Sequence, residues 1–334
     1  METSENKRTL GLAFSGASAR SVFYIGFLEV LQENKIKVDY ISATSGSSIV
    51  AAAYACGTLP KLKDTVLKID KEYLFSLIEK SGLKNGLYSL EKMEEEMRKF
   101  TDDLNFQDVR PLMGFVCTDL HNGREVVLEM GNIARAVCAS CAIPGIFEPI
   151  KWGNWDLVDG GLLNVVPGEI VKNSGVDVVV GINLTPTERI FGPIEMTVKK
   201  TSDIIKKVLM LKHAGRALRY VKKAMEKNRY FSYFMEAEQA ANRQEFPGMF
   251  SVLGRSMDLS LEAQKHVDRA QDNFGCDIMI RPKMTYVSNW KRIFYMHFAD
   301  FKQTKVMYLA GRQSALKYLP KINELLEASS RNND

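Results

Sequence analysis

The amino-terminal part of the chain alternates short apolar runs with segments of helical spacing. Residues 10–14 form an apolar run typical of a buried strand, and residues 22–31 place their apolar side chains at helical intervals. A second apolar, β-favouring run at residues 38–45 precedes an alanine-rich segment that is predicted to be a helix ending at Gly57. This alternation predicts an α/β fold with a parallel central sheet.

The rest of the pattern predicts further elements of the same fold. Residues 61–100 are predicted to form helical segments, and residues 115–120 and 125–130 predict a hairpin with a tight turn at Asn122-Gly123. The later elements are predicted to be a helix at 133–142, a strand at 176–184, a helix at 248–271, a strand at 276–281 and a helix at 304–326. Because no repeat or linker interrupts the pattern, we expect one domain over residues 1–330.

Composition and charge narrow the class of protein. The chain has 334 residues, of which 46% are hydrophobic, so it can bury a large core and is not a disordered protein. A formal net charge of +5 is only mildly basic, and no recognisable nucleic-acid-binding fold or aromatic platform accompanies it. Residues 1–9 lack the apolar run of a signal peptide, and no window reaches the roughly 18 apolar residues of a membrane-spanning helix. We therefore expect a cytoplasmic protein without a nucleic-acid partner.

The cysteines are predicted to be reduced and structural. There are 5 of them, an odd number, and most lie in apolar stretches. Cys138 and Cys141 have the spacing of a redox motif but lie outside a strand-to-helix redox loop. Cys117, Asp119 and His121 are neighbours in the sequence without a known metal-ligand spacing. We expect neither a metal nor another cofactor.

Ser45 falls on the joint between the second predicted strand and the helix that follows it. A serine at such a joint can sit in a tight turn that presents its hydroxyl to a ligand near a helix N-terminus, as in a nucleophile elbow. The usual elbow pattern is G-x-S-x-G, and here Ala43 and Ser47 replace the two glycines by the next smallest residues. A Ser-Gly-Ser sequence is also an ordinary turn, so the residues alone leave both interpretations open.

Two further loops are candidates for a site. Residues 15–21 form a small-residue loop between the first strand and the first helix, which could bind a phosphate, stabilise an oxyanion or be a plain turn. Only Gly16 of the glycines of a dinucleotide-binding loop is present there. Asp159-Gly160-Gly161 follows an apolar approach and is, by itself, most simply a turn. The loops after the first two strands lie at their carboxyl ends, where open α/β sheets bind ligands.

A basic amphipathic stretch occupies residues 197–229. It contains eleven Lys or Arg and two acidic residues, and its apolar residues recur at helical spacing. Such a helix is suited to an anionic membrane surface. The lysines expected to make this contact are Lys206, Lys207, Lys222 and Lys223. A surface helix that packs on the core with its basic face in water explains the pattern equally well.

Taken together, these loops resemble the motifs of the patatin-like phospholipase family. The glycine-rich G-G-G-x-R-G loop of the family aligns with residues 16–21, its elbow with residues 43–47 and its Asp-Gly-Gly motif with residues 159–161. Residues 139–145 also look like the segment that the family places upstream of its aspartate. The resemblance therefore rests on three ordered motifs in a matching context.

The resemblance also divides the single expected domain into parts. The core motifs lie within residues 10–181, where the resemblance is close, and residues 185–247 look like a basic helical insertion. Residues 250–328, with the last strand and helices, match the family more loosely. The implied architecture is a three-layer α/β/α fold with a mostly parallel central sheet.

The family implies a serine–aspartate dyad. Carried over to this chain, Ser45 is the nucleophile and Asp159 is the base that takes its proton. The implied oxyanion hole consists of the backbone N–H groups of Gly16, Ala17, Ser18 and Ala19, and the supporting residues are Arg20, Gly46 and Gly160. Chemistry agrees with a carboxylate base, because a serine hydroxyl needs an adjacent base and none of the 4 histidines lies in a recognisable triad context.

The implied function is a serine lipid acyl hydrolase, of the phospholipase A or lysophospholipase type. Its substrate would be a membrane phospholipid or lysophospholipid, reached by peripheral contact with an anionic membrane surface. However, Ala17, Ser18 and Ser21 replace glycines of the family loop, and a side chain where a positive φ is needed costs about 1–2 kcal/mol. The alternative function is therefore a degenerate member that binds lipid or regulates without turnover.

Overall fold

A computed structural model of the protein describes residues 8–81, 86–185, 273–282 and 303–328. The described strands are β1 (Leu10–Phe14), β2 (Tyr40–Thr44), β3 (Glu79–Lys80), β4 (Gly86–Ser89), β5 (Leu112–Asp119), β6 (Arg124–Leu128), β7 (Gly145–Phe147), β8 (Ile150–Trp152), β9 (Trp155–Asp159), β10 (Val178–Ile182) and β11 (Ile278–Ile280). The described α-helices are α1 (Val22–Glu33), α2 (Ser47–Ala55), α3 (Leu59–Lys68), α4 (Lys71–Ser76), α5 (Glu91–Thr101), α6 (Ile133–Ser140), α7 (Gly168–Asn173) and α8 (Thr304–Glu327). Short 3-10 helices lie at Ser18–Ser21, Phe106–Asp108 and Gly160–Leu162.

The central sheet is mostly parallel, which confirms the predicted fold class. Its strands lie in the order β11-β10-β1-β2-β5-β9-β8, and β6 also pairs with β5. The five strands from β11 to β5 pair in parallel, whereas β6, β8 and β9 are antiparallel to their neighbours. The parallel strands β1, β2 and β10 are buried along their whole length, as expected for strands covered on both faces.

Helices cover both faces of this sheet. Leu10, Leu12 and Phe14 of β1 lie in the large hydrophobic core, together with side chains of α1 and α2. On the opposite face, Ala13 packs in a smaller cluster with Val171 of α7. Because successive side chains of a strand point to opposite faces, this division assigns α1 and α7 to opposite layers. The described residues thus form the three layers that the sequence predicts.

Two glycines allow α1 and α8 to cross in close contact. A Cβ at Gly26 would lie 2.1 Å from the carbonyl oxygen of Tyr308, and a Cβ at Gly311 would lie 1.9 Å from that of Phe23. Around the crossing, the guanidinium of Arg312 donates to both carboxylate oxygens of Glu33 at 2.8 Å. The long helix α8 therefore packs closely on α1, and α1 begins directly after the small-residue loop at residues 15–21.

The segment between α3 and α5 differs from the predicted run of helices. It contains the helix α4 and two short strands, β3 and β4, which pair antiparallel. β4 also pairs with β7, which follows α6 in the sequence. This distant partner explains why β4 is a strand although the local sequence pattern does not predict one. The predicted strand at residues 38–45 is also shorter, because β2 ends at Thr44 and leaves Ser45 in the turn.

Several predictions concern residues outside the described ranges. They include the basic amphipathic stretch at residues 197–229, with Lys206, Lys207, Lys222 and Lys223, and the helix at residues 248–271. The limits of the single domain and of the insertion also stay predictions. Within the described residues, no helix is long and apolar enough to cross a membrane.

Candidate active site

Strand β5 brings Ser45 and Asp159 to the same point. β2 pairs with β5 as far as Thr44, which lies opposite Val116, and β9 pairs with β5 from Cys117 to Asp119. β6 occupies the other edge of β5 over the same residues, so β9 continues on the edge that β2 leaves. Ser45, the first residue after β2, therefore meets Asp159, the last residue of β9.

Ser45 occupies a sharp turn between β2 and α2. Its φ is +58°, in the left-handed region that non-glycine residues rarely adopt. Its hydroxyl donates a hydrogen bond of 2.6 Å to Oδ2 of Asp159, and its side chain is mostly buried. A strained strand-to-helix turn that presents a serine hydroxyl is the geometry of a nucleophile elbow.

Small residues at the two former glycine positions fit this turn. Ala43 is fully buried in the core. The Ser47 hydroxyl accepts a hydrogen bond from the Thr44 N–H at 3.1 Å and donates to the Thr44 carbonyl at 2.7 Å. The serine that replaces the second glycine thus closes the turn with its own side chain.

Asp159 is buried and hydrogen-bonded on both carboxylate oxygens. Oδ2 accepts from Ser45, and Oδ1 accepts from the Gly161 N–H at 2.8 Å. Burial raises the pKa of Asp159 to about 6, although both hydrogen bonds act in the opposite direction by favouring the charged form. A carboxylate with a pKa near 6 can accept a proton at neutral pH more readily than an exposed aspartate.

Gly160 and Gly46 allow the backbone to pass close to neighbouring elements. A Cβ at Gly160 would lie 2.4 Å from the Val116 carbonyl oxygen on β5. A Cβ at Gly46 would lie 3.1 Å from both the Cα and the carbonyl oxygen of Ser18. Glycine at these two positions therefore allows Asp159 to lie close to β5 and the turn at Ser45 to lie close to the small-residue loop at residues 15–21.

The small-residue loop at residues 15–21 lies beside the turn at Ser45, but the N–H groups of its residues 16–19 are not equivalent. The Gly16 N–H donates to the Val165 carbonyl at 3.1 Å and is therefore already paired. Within the described part of the chain, the N–H groups of Ala17, Ser18 and Ala19 have no hydrogen-bond acceptor. These three N–H groups are therefore the donors of the loop that remain unpaired within the described residues.

The loop is closed on itself at its far end. Arg20 donates from its backbone N–H at 3.0 Å and from Nε at 3.2 Å to the Ala17 carbonyl. Ser18 has a φ of +48°, so one of the three replaced glycines does stand at a left-handed position. Ser21 does not, because its φ is −57°. The Ser21 hydroxyl is buried without a hydrogen-bond partner in the described structure.

Ser140 is a residue of the site that the motif spacing does not identify. Its hydroxyl accepts the Ser45 N–H at 2.9 Å and donates to the Val116 carbonyl at 2.7 Å. In the sequence, Ser140 stands out only as part of the stretch 139–145 that resembles the family. Its contact with the elbow depends on the packing of α6 against β5, which no local pattern reveals.

The remaining polar candidates lie apart from this site or have simple structural roles. All five cysteines are free thiols, and burial raises the pKa of Cys56 to about 11 and of Cys276 to about 12. Among the described residues, no group of three or more His, Cys, Asp or Glu is arranged to hold a metal ion. His121 pairs with Asp156 at 2.5 Å in the hairpin region.

Comparison with known proteins gives a family and several distant relatives. The NTE family protein Rv1063c of Mycobacterium tuberculosis (strain H37Rv) is 25% identical over 179 residues, which cover 54% of this chain and 50% of that protein. YqhO of Bacillus subtilis is 29% identical over 208 residues, covering 53% of this chain and 71% of YqhO. The solved structure of VipD from Legionella pneumophila is 13% identical with a TM-score of 0.47, over 96% of this chain and 69% of that chain.

The match to the mycobacterial protein spans half of the length of that relative. The family model for patatin-like phospholipases matches residues 12–171 of this chain. The matched part holds the turn at Ser45, the small-residue loop at residues 15–21 and Asp159.

Proposed function

We propose that the protein is a serine lipid acyl hydrolase, with Ser45 as the nucleophile and Asp159 as the general base. The observation that carries the proposal is the 2.6 Å hydrogen bond from the Ser45 hydroxyl to the buried Asp159 carboxylate. The match of residues 12–171 to the patatin-like phospholipase family model supports lipid hydrolysis as the general kind of activity. The finer type, a phospholipase A or lysophospholipase, is part of the proposal.

The proposed first step is transfer of the Ser45 proton to Asp159 as Oγ attacks the acyl carbonyl carbon. A serine hydroxyl is a weak nucleophile at neutral pH, and a base within hydrogen-bond distance activates it. The carbonyl oxygen becomes an oxyanion while the C–O bond to Ser45 forms. Collapse of this intermediate breaks the ester bond, and protonated Asp159 returns the proton to the leaving alcohol.

Water completes the proposed cycle. Asp159, again deprotonated, accepts a proton from water as the water oxygen attacks the acyl-enzyme. The second tetrahedral intermediate releases the fatty acid and restores the Ser45 hydroxyl with the proton held by Asp159. One ester and one water thus give one alcohol and one carboxylic acid, without a cofactor.

The free N–H groups of Ala17, Ser18 and Ala19 are proposed to stabilise the oxyanion. They lie on the loop that packs against the elbow at Gly46. One fixed donor to an oxyanion is worth roughly 3–4 kcal/mol of barrier height. The family resemblance also counts Gly16 among the oxyanion donors. Because its N–H is already paired with the Val165 carbonyl, Gly16 is proposed to fix the loop instead.

A fluorophosphonate probe tests the proposal, because it reacts covalently with an activated serine. We expect the wild type to be labelled and to hydrolyse p-nitrophenyl butyrate, and Ser45→Ala to lose both properties. Asp159→Asn should reduce both by orders of magnitude in a folded protein. Ser174→Ala is the matched control, since its hydroxyl donates to Val171 on α7, and it should behave as the wild type.

The alternative, a lipid-binding protein without turnover, is favoured by one specific observation. The loop has a strained serine at position 18 where the family has glycine, so its N–H groups are held at a conformational cost. Absence of labelling in the wild type, together with retention of phospholipid vesicles by the same protein, would support this alternative. Labelling that persists in Ser45→Ala would contradict the proposed nucleophile.

The substrate is proposed to be a phospholipid or lysophospholipid at a membrane surface. Incubation of a lipid extract with the wild type and with Ser45→Ala, followed by mass spectrometry, would identify it. Lipids that decrease, and fatty acids that increase, only with the wild type are the substrates and products. Identical lipid profiles from the two proteins would argue against this substrate class.

A further inference from the structure

The end of α6 and the two residues that follow it contact both members of the Ser45–Asp159 pair. The Ser140 hydroxyl accepts the N–H of Ser45 at 2.9 Å. Two residues further along, the Ala142 carbonyl accepts the N–H of Asp159 at 3.0 Å. One short segment therefore holds the backbone of the serine and the backbone of the aspartate.

The Ser140 hydroxyl uses its single proton and one of its acceptor lone pairs in this arrangement. It accepts from Ser45 and donates its proton to the Val116 carbonyl of β5 at 2.7 Å. The side chain is fully buried, with 0% exposure, so water cannot replace either partner without a rearrangement. The hydroxyl thus links the elbow directly to the strand along which Ser45 and Asp159 meet.

The Ser45 backbone depends on this contact. Its left-handed φ of +58° is unfavourable for a residue with a side chain and persists only where surrounding contacts fix it. A buried N–H that loses its acceptor also carries a penalty, which a rotation of the peptide would relieve. Such a rotation would move the Ser45 hydroxyl away from Asp159.

We propose that Ser140 is a positioning residue, which holds Ser45 in the left-handed conformation that aligns its hydroxyl with Asp159. This inference rests on the proposed function of the Ser45–Asp159 pair. Ser140 donates to a backbone carbonyl and accepts a backbone N–H, so it contacts no reacting atom. Its contribution is to alignment, and loss of alignment lowers the rate of the chemical step.

The test compares Ser140→Ala with a matched control, Ser42→Ala. Ser42 is also fully buried and donates to a carbonyl of β5, that of Gly114 at 3.1 Å, but it does not contact Ser45. We expect both variants to lower Tm by similar amounts. Ser140→Ala should in addition lower kcat for p-nitrophenyl butyrate by about 100-fold with KM unchanged, because a misplaced reactive group slows the chemical step.

Conservative variants separate alignment from a general structural effect. Ser140→Thr keeps a hydroxyl and is expected to recover most of kcat, whereas Ser140→Cys keeps the shape with a weaker donor and acceptor and is expected to be intermediate. If Ser140→Ala does not fold, the ratio of kcat in Ser140→Cys to that in Ser42→Ala decides the question. Equal kcat values in the Ser140 variants and Ser42→Ala would overturn the inference.

The outcome for the pair itself is read separately. If Ser45→Ala keeps the wild-type rate, the proposed function fails, and Ser140 has nothing to align. If Ser45→Ala is inactive but Ser140→Ala keeps the full kcat, the function stands and the positioning role is wrong. A loss of kcat in Ser140→Ala that follows the fraction of unfolded protein would also contradict positioning.

Discussion

Two serines of the candidate site have a left-handed backbone. Ser45 has a φ of +58° and Ser18 a φ of +48°, and Gly46 lies against Ser18. Non-glycine residues in this region cost of order 1–3 kcal/mol each and cluster at functional sites. At Ser45 the strain presents the hydroxyl to Asp159, whereas at Ser18 it is a consequence of replacing a family glycine.

Ser18→Gly is therefore expected to stabilise the protein. Glycine adopts a φ of +48° without a Cβ clash, and part of this gain is offset by the greater entropy of glycine in the unfolded chain. We expect a net increase of up to about 1 kcal/mol in the free energy of unfolding. Urea denaturation followed by circular dichroism measures it.

Ala17→Gly provides the control for this prediction. Ala17 also replaces a family glycine, but its φ of −143° is ordinary for alanine and its methyl group is buried in the core. Glycine there should lower the free energy of unfolding by about 1–2 kcal/mol through backbone entropy and the loss of the buried methyl group. Changes of the same sign and size in the two variants would contradict the assignment of strain to Ser18.

The pKa of Asp159 determines how the rate depends on pH. A general base must be deprotonated, and burial raises the pKa of Asp159 to about 6. We therefore expect kcat/KM to rise with pH through a midpoint near 6 and to be level above it, because the base form of Asp159 is complete there. A rate that is already level at pH 5, with a midpoint near that of an exposed aspartate, would show that Asp159 is not the titrating base.

At the scale of elements, β5 organises the site by pairing first with β2 and then with β9. Two of the parallel strands could be predicted, since the apolar runs at residues 10–14 and 176–184 contain β1 and β10, whereas the apolar residues before Asp159 were not predicted to be a strand. The pairing order could not be predicted from period-two patterns, because seven of the eight residues of β5 are buried and polar residues do not alternate with apolar ones along the strand. Ser45 and Asp159 therefore become a pair only through tertiary structure.

The same limit applies to individual site residues. Ser45 could be placed at the joint between a strand and a helix from the change of pattern, and the family resemblance implied an elbow there. Ser140 could not be found, because a serine at the end of an apolar helix has no local signature. The hydrogen bond of the Gly16 N–H could also not be predicted from the sequence, since its acceptor, the Val165 carbonyl, lies in a distant loop.

The crossing of α1 and α8 gives a prediction about an element far from the hydroxyl chemistry. A Cβ at Gly311 would lie 1.9 Å from the Phe23 carbonyl oxygen, so Gly311→Ala must push the helices apart. We expect the free energy of unfolding to fall by about 1–3 kcal/mol, which is typical of overpacking. Thermal denaturation measures the change.

Gln313→Ala, on the same helix, is the control for Gly311→Ala. Gln313 is exposed, and its replacement should change the free energy of unfolding by no more than about 0.5 kcal/mol. A similar small change in Gly311→Ala would mean that α1 and α8 do not pack as closely as the structure shows.

At the scale of the whole molecule, the proposed substrate requires contact with a lipid surface. We expect replacement of Lys206, Lys207, Lys222 and Lys223 by glutamate to weaken sedimentation with anionic vesicles, since each lysine near such a surface contributes about 1 kcal/mol. Neutral phosphatidylcholine vesicles should show little change. The hypothesis concerns residues outside the described ranges and rests on their sequence pattern.

The control for the vesicle experiment carries the same change in charge elsewhere. It replaces four exposed lysines of the described structure, Lys80, Lys172, Lys305 and Lys317, by glutamate. A specific surface predicts that this variant keeps most of its vesicle binding. Equal losses in the two variants would show that overall charge, and not the basic stretch, governs binding.

Burial of Asp159 also makes the stability of the whole protein depend on pH. Because the folded state holds this proton up to about pH 6 and the unfolded state releases it near pH 4, stability falls as pH rises between these values. The resulting loss in the free energy of unfolding is at most about 3 kcal/mol. It persists at neutral pH, where the folded protein contains the buried charge of Asp159. Asp159→Asn removes this titration, so its Tm relative to the wild type should be higher at pH 8 than at pH 5. The protein is therefore less stable at the pH where Asp159 is deprotonated and can act as a base.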